Sequence, residues 1–401
     1  MRLRRLIVLE LVGFPTSKEQ VGGGSRHLRS LLKIWSRAGM DVHLIQLKNE
    51  HSGQSVVPGV ISHEIAVPRL TNVAPVVRFL LQIIALSILC RRQALAVVDG
   101  IVVAAEDSVV LSYSPYLSDV LLAATIAKHL QVRAAVHLHH LFPPPWWHPF
   151  RRGGLLRTSF NWGLGQLALT IIKINGMLPC VDEMESIHRS GWKFSHGPLR
   201  TPLFLDSPQW IRPASTIRDI DACFLGRLTP AKGMADLVPI WSKVVKQHPG
   251  AKLVLGGPST SERLRVRLRD NISRTGLGQN IVVAGVLNET EKVELLSRSR
   301  LFLFPSYEEG WSLAVMEAAY YGALPVVYDL PAYDYLDPVV IRIPAADIGA
   351  YAEKVSDLLN RGDDFASERA KLKELVLSYN ASRIAMDELE SLSVFARGGV
   401  G

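Results

Sequence analysis

Cysteine is scarce in this sequence: Cys90, Cys180 and Cys223 are the only three in 401 residues. They are odd in number, far apart and form no CxxC pair, which argues against a disulfide framework or a cysteine zinc site and fits a reducing compartment. Long apolar runs are also lacking. "FLLQIIALSILC" at 79–90 spans only a dozen residues and contains Gln82, short of the ~20 that cross a bilayer. A buried helix is its first reading. Arg78, Arg91 and Arg92 flank it, so a helix lying on an anionic membrane surface is the second. The N-terminal "MRLRRLIVLELVGF" imitates a signal peptide, but Glu10 interrupts it and no small-residue cleavage site follows, so a first β-strand is the better reading. No GxxxxGK[ST] phosphate loop, short repeat or low-complexity tract occurs. No run interleaves basic and aromatic residues, which disfavours nucleic-acid binding.

What is present is an ordinary globular composition, 48% hydrophobic and 20% charged, long enough for two domains with their own cores. The charge is uneven. Residues 1–200 hold 22 Lys and Arg against 12 Asp and Glu, the remainder 23 against 25, and eleven of the twelve histidines fall in the first half. The first half should attract anions, such as a phosphorylated substrate or an acidic membrane surface, the plainer reading being a solvated basic face.

Short apolar runs alternate with amphipathic stretches throughout. "LRRLIVLELV" reads as a strand, and "SRHLRSLLKIWSRAG" follows with Leu28, Leu31, Leu32 and Trp35 at a helical period. "DVHLIQL", "SVVLSYS" and "RAAVHLHH" continue the strands, with a helix over about 116–130. In the second half "DACFLG", "AKLVLGG", "NIVVAG", "RLFLFPS" and "ALPVVY" alternate with helices, and Asn288 with Glu291 forms a capping-box pattern. The fold class is therefore α/β, two doubly wound parallel sheets. The divisions predicted are residues 1–205, 206–375 and a closing helical segment 376–401, with a proline-rich linker near 204–220.

In doubly wound folds ligands sit beyond the carboxyl ends of the strands. Three strand-to-helix loops stand out. "SKEQVGGGSRHL" contains Gly22, Gly23 and Gly24, which permit close backbone approach to a phosphate at a helix start; a flexible turn is the plainer reading. "LGRLTPAKG" carries Arg227 and Lys232, a planar fork and a point charge that suit a diphosphate, or two solvated surface charges. "EEGWSLAVMEAAYYGALPVV", residues 308–327, places Glu309 at a helix mouth and Glu317 inside the helix, with Ser312 as N-cap and Gly322 as terminator. The plainer readings are a solvated Glu309 and a Glu317 paired with a buried lysine or arginine.

These motifs together resemble the retaining GT-B glycosyltransferases of family 4, the glycosyl transferases group 1. The resemblance is strong over about 222–327, moderate over 1–47 and weak elsewhere. It implies two Rossmann-like domains facing across a cleft. It implies further that Arg227 and Lys232 hold the diphosphate of a nucleotide-sugar with amides from Gly23, Gly24, Gly310, Trp311, Ser312 and Leu313. Glu317 would take the ribose diol and Glu309 the donor-sugar hydroxyls. Val286 and Leu287 would contact the base, and a closing helix in "YNASRIAMDELESL" would pack back on the first domain. No metal or other cofactor is implied. The acceptor would be a carbohydrate or lipid-linked molecule; the basic first half and the 79–90 segment lean towards a lipid-linked or polyanionic one, met by a cytoplasmic enzyme peripheral on the inner face of a membrane.

The segment "AAVHLHHLFPPPWWHPF" supplies His139, with His140 second, as the histidine the family places against donor sugar and phosphate. His137 and His139 share one strand face and could ligate a metal, but no carboxylate or cysteine is near them in sequence. "PPPWWHPF" could line an acceptor site or simply pack. The sequence departs from the family at Trp311, Ser312 and "DLPAYDYLDP", where a Gly-Gly turn is usual. Two other readings stay open: a non-catalytic nucleotide-sugar-binding subunit, and a nucleotide-sugar epimerase of the same architecture.

Overall fold

The computed structural model describes residues 3–11, 23–48, 57–66, 90–101, 104–139, 155–182, 191–205, 217–259 and 261–398. They divide into two compact units. The first contains the described residues through 139, 159–203 and 380–398; the second contains 204–379 with 155–158.

The first unit is built on β1 (Arg5–Glu10), α1 (Gly23–Arg37), β2 (Asp41–Leu47), β3 (Val60–Ile65), α2 (90–99), β4 (Ser108–Ser112), α3 (Leu117–Leu130), β5 (Arg133–Leu138), α4 (Leu155–Ile174), β6 (Leu178–Val181) and β7 (Leu199–Arg200). Its parallel sheet runs β3-β2-β1-β4-β5-β6-β7. A strand covered on both faces must be apolar on both faces, and Leu6 to Leu9 of β1 are all fully buried. The helical period predicted for α1 is the one that packs: Leu28, Leu31, Leu32 and Trp35 are at most 1% exposed. Of the other predicted features, the glycine loop through Gly22, most of 79–90, His140, "PPPWWHPF" and most of the linker lie outside the described residues.

The second unit contains β8 (Ile220–Leu225), α5 (Met234–Gln247), β9 (Leu253–Gly256), α6 (Glu262–Arg274), β10 (Ile281–Gly285), α7 (Glu289–Arg298), β11 (Ser299–Phe304), α8 (Leu313–Tyr321), β12 (Leu324–Tyr328), β13 (Ile341–Ile343), α9 (Ile348–Asn360) and α10 (Ala366–Ser378). The strand order is β10-β9-β8-β11-β12-β13, all parallel where paired. Local chemistry sets the helix ends. Asn288 and Glu291 form the capping box of α7. The Ser312 hydroxyl accepts from Val315 N at the start of α8, and Gly322 ends that helix in the left-handed region.

The last helix, α11 (Ala381–Ala396), belongs to the first unit. Asn380 caps it, accepting from Arg383 N at 2.9 Å. Residues 376–378 still end α10, so the closing helix starts later than the division at 376 predicts. Trp35 Nε1 donates to Ala385 O at 2.9 Å, and Leu3 N to Ser393 Oγ at 3.1 Å, which binds α11 to α1 and the start of the chain. Among the described residues no helix is long and apolar enough to cross a membrane.

Candidate functional site

In the second sheet the strand order reverses between β8 and β11. The loops that leave these two strands therefore open at the topological switch point, where doubly wound sheets bind ligands. The β8–α5 loop carries Arg227 and Lys232; the β11–α8 loop carries Glu309, Gly310, Trp311 and Ser312. Four contacts tie the loops together. Tyr307 N donates to Ala231 O at 2.9 Å and Ser306 Oγ to the same oxygen at 3.3 Å. Lys232 Nζ donates to Glu308 O at 3.1 Å and to Glu309 Oε1 at 2.6 Å. The Lys232 and Glu309 side chains are 19% and 7% exposed, so this ion pair is largely withdrawn from water. Arg227 is exposed.

Glycine makes the close approach possible. Gly233 sits at φ +74°, and a Cβ there would overlap the Pro305 carbonyl. Below the loops, Tyr307 and Tyr328 both donate their hydroxyls to the buried Asp236 in the first turn of α5, Tyr328 at 2.8 Å. Burial first, and then the Asp236 charge, push the Tyr328 hydroxyl far above the ordinary phenol range.

Glu317 lies on the first turns of α8, buried, with Oε1 accepting from Lys292 Nζ at 2.7 Å. Lys292, on α7, also reaches Glu289 at 2.6 Å. Glu309 and Glu317 are thus each held by a lysine from another element. Trp311 has a definite place. It is 6% exposed, stacks on Tyr335 at 4.2 Å and 8°, meets Tyr379 edge-on at 5.1 Å, and donates Nε1 to Met316 Sδ at 3.0 Å. Tyr335 donates its hydroxyl to Ser312 O at 3.2 Å. The unusual "DLPAYDYLDP" turn is therefore the partner of Trp311. Burial, and next the Glu309 carboxylate, push the hydroxyls of Tyr333 and Tyr335 up. Val286 is exposed, and the Leu287 side chain lies over Gly256 beside the same strand ends. Leu313 is the first residue of α8.

The remaining predicted residues are in the first unit. Gly23 and Gly24 are not loop residues: they are the first two residues of α1, which begins directly after the glycine-rich stretch. His139 follows β5. Its Nδ1 donates to Asp182, 2.9 Å from Oδ1 and 3.1 Å from Oδ2. Burial alone would lower this imidazole, but Asp182, Glu388 and Glu10 outweigh it and raise it. His137 Nε2 donates to Glu388 Oε1 of α11 at 2.7 Å, both side chains being buried. Tyr113 packs against both, 5.0 Å from His137 and 4.6 Å from His139, and its hydroxyl lies 2.5 Å from His27 Nδ1. Glu10, at the carboxyl end of β1, accepts from Ser25 Oγ at 2.9 Å.

The expectation that no carboxylate or cysteine accompanies the histidines is wrong in three dimensions. Cys180 pairs with His137 in register across β5 and β6, and Asp182 and Glu388 close around the same histidines. The spacing still favours hydrogen bonds over a metal. The pairs stand 2.7 and 2.9 Å apart, whereas two ligands on a tetrahedral zinc, with bonds of about 2.0–2.1 Å, stand about 3.3 Å apart. Sequence reasoning missed Lys292, Tyr335, Asp182, Glu388 and Glu10 as site neighbours. A usable signal existed for Asp182, which ends the short apolar run "LPCV" as a strand-end carboxylate.

Residues 211–375, about two-fifths of the chain, match the family described as glycosyl transferases group 1. A phosphatidylinositol N-acetylglucosaminyltransferase subunit from Arabidopsis thaliana is 28% identical over 143 residues, 35% of this chain and 31% of that protein. The chain spans less than half the length of the curated relatives it matches first, from 16% to 42%. Two solved structures are similar over nearly their full length. Sucrose-phosphate synthase of Thermosynechococcus elongatus has a TM-score of 0.78 at 16% identity, covering 98% of this chain and 99% of that one. Anabaena HepE in complex with UDP and glucose has 0.74 at 13%, covering 97% and 99%. At these identities the likeness establishes the fold, the GT-B pair of Rossmann-like units.

Proposed function

We propose that this chain is a glycosyltransferase that moves a sugar from a nucleotide-sugar to an acceptor with retention of anomeric configuration. The observation that supports this most is the Lys232–Glu309 pair, joining two loops at the switch point of the second sheet within the segment that matches glycosyl transferases group 1. Lys232 and Arg227 neutralise the departing diphosphate, and the α8 N-terminus with Gly310, Trp311, Ser312 and Leu313 adds backbone donors. Fixed cations of this kind supply the positive charge without a bound metal. Glu309 accepts from donor-sugar hydroxyls and Glu317 from the ribose diol, since ionised carboxylates only accept. Val286 and Leu287 border the base. His139, Gly23 and Gly24 are further donor contacts on this reading. The acceptor is a lipid-linked or polysaccharide molecule, a reading supported by the basic excess of residues 1–200 and by the phosphatidylinositol in the name of the Arabidopsis relative. The same excess supports peripheral contact with an anionic membrane.

The test is a panel of UDP-, GDP- and ADP-sugars incubated with the full chain, with release of nucleoside diphosphate as readout. Lys232→Ala should lower turnover at least about a hundredfold with the fold retained by circular dichroism. An unchanged rate removes the diphosphate assignment. A free, altered sugar would indicate an epimerase, and binding without turnover a non-catalytic subunit. The anomeric proton coupling of the product reads retention directly.

A further inference from the structure

His139 has one ring nitrogen committed and one not. Nδ1 faces both oxygens of Asp182, which is 2% exposed. Nε2 is buried and finds no hydrogen-bond partner among the described residues. A buried polar atom left without a partner is costly, and such groups mark places where a ligand or water completes the bonding. The ring also stands 6.2 Å from that of His27, in the first turns of α1, so it lies beside a helix N-terminus that favours anions.

We propose that Asp182 is a positioning residue for His139: it holds the ring through Nδ1–H and supplies the counter-charge for the imidazolium, the form in which Nε2 also carries a hydrogen and can donate it to an anionic ligand group. This rests on the nucleotide-sugar reading and deepens it by adding a residue outside the matched segment. A neutral ring held in this way would have a lone pair on Nε2 and accept there; the adjacent carboxylate favours the cation, in which both nitrogens donate. Other groups face the ring as well. Glu10 of β1 and Glu388 of α11 favour its charge, whereas burial opposes it; His137 of β5, His27 of α1 and Tyr113 complete its surroundings. Among the carboxylates Asp182 is the one in direct contact, so its removal should dominate.

The experiment has two arms on the full chain. In the first, histidine labelled at Cε1 is titrated by NMR, with His139→Gln assigning the signal. Asp182→Asn should lower the His139 midpoint by about one pH unit or more and leave those of His43 and His63 in place. An unmoved midpoint overturns the proposal. In the second, binding of UDP, GDP and ADP is measured by calorimetry. Asp182→Asn should weaken the tightest of them, and the loss should shrink as the pH is lowered and the ring protonates without the aspartate; His139→Gln should lose the affinity at every pH. A loss in Asp182→Asn that does not vary with pH indicates a merely structural aspartate and overturns the proposal. If the wild type binds none of the three, the nucleotide-sugar reading fails and the ligand half of the proposal with it, while the NMR arm still decides whether Asp182 governs the ring.

Discussion

Glu10→Gln should stabilise the first unit at neutral and alkaline pH and do nothing to it in acid. Glu10 is 3% exposed, and its carboxyl is raised from 4.5 to about 7. Burial is the largest cause and Asp119 adds repulsion, while the Ser25 hydrogen bond, Arg29 and His139 pull the other way. The folded state therefore holds this proton more tightly than the unfolded state. Stability is fully present below 4.5 and is lost as pH rises to about 7. The shift corresponds to about 3 kcal/mol at 1.36 kcal/mol per unit. Glutamine cannot ionise, and its carbonyl can still accept from Ser25. The variant should match wild type near pH 4 and exceed it by up to about 3 kcal/mol near pH 8. Because the chain has two units, one unfolding midpoint is not a clean measure. Hydrogen exchange of the β1 amides at the two pH values reports the first unit directly. Equal stabilisation at both, or destabilisation near pH 8, would refute the reasoning and mean that Glu10 is favoured as a carboxylate, with Arg29 the partner to suspect.

Trp311→Ala removes the stack on Tyr335 and should cost about 3–5 kcal/mol in the second unit, whereas Trp311→Phe should cost far less and keep donor turnover; a chemical melt of both distinguishes a packing role from a contact with substrate. Gly233→Ala should fail to assemble the loop pair, because φ +74° and the Pro305 carbonyl both oppose a Cβ; a variant with wild-type melting and turnover would show that the loop can shift cheaply. Glu309→Gln should narrow the gap between nucleotide-sugar and bare-nucleotide affinity from both sides, read by calorimetry, since the variant no longer has a charge to strand.

Regular periodicity made most of the fold legible. The buried face of α1 and the alternating strands of the second half follow from spacing alone, as do the Ser312 and Asn288 caps, because each is a local property of the chain. β3 was not legible: "VISHEI" mixes polar residues into an edge strand half of whose residues are exposed. Neither was β13, three residues long. In the site, Lys232 and Glu309 were visible because each sits at a strand-to-helix junction with a recognisable pattern. Their partners were not. Lys292 meets Glu317 across 25 positions and Glu388 meets His137 across 251. Nothing in local spacing encodes a contact between elements that only the sheet order brings together.

The two lysine–glutamate pairs resolve how charges persist in a segment that is mostly apolar. An isolated buried carboxylate would shed its charge by taking up a proton. Glu309 and Glu317 instead each have an ammonium at hydrogen-bond distance, 2.6 and 2.7 Å. Within the proposed function this arrangement discriminates among ligands. A diphosphate that draws Lys232 away from Glu309 leaves a buried carboxylate without its counter-charge, and truncating a buried ion pair in that way is costly, about 3–5 kcal/mol. A ligand that also offers hydroxyl donors to Glu309 recovers part of that cost; a bare nucleotide does not. The pair therefore works as a partner exchange that favours the intact nucleotide-sugar over its own product, and it loosens the product once the sugar has left. The two side chains are 19% and 7% exposed, which limits the screening of the exchange by solvent.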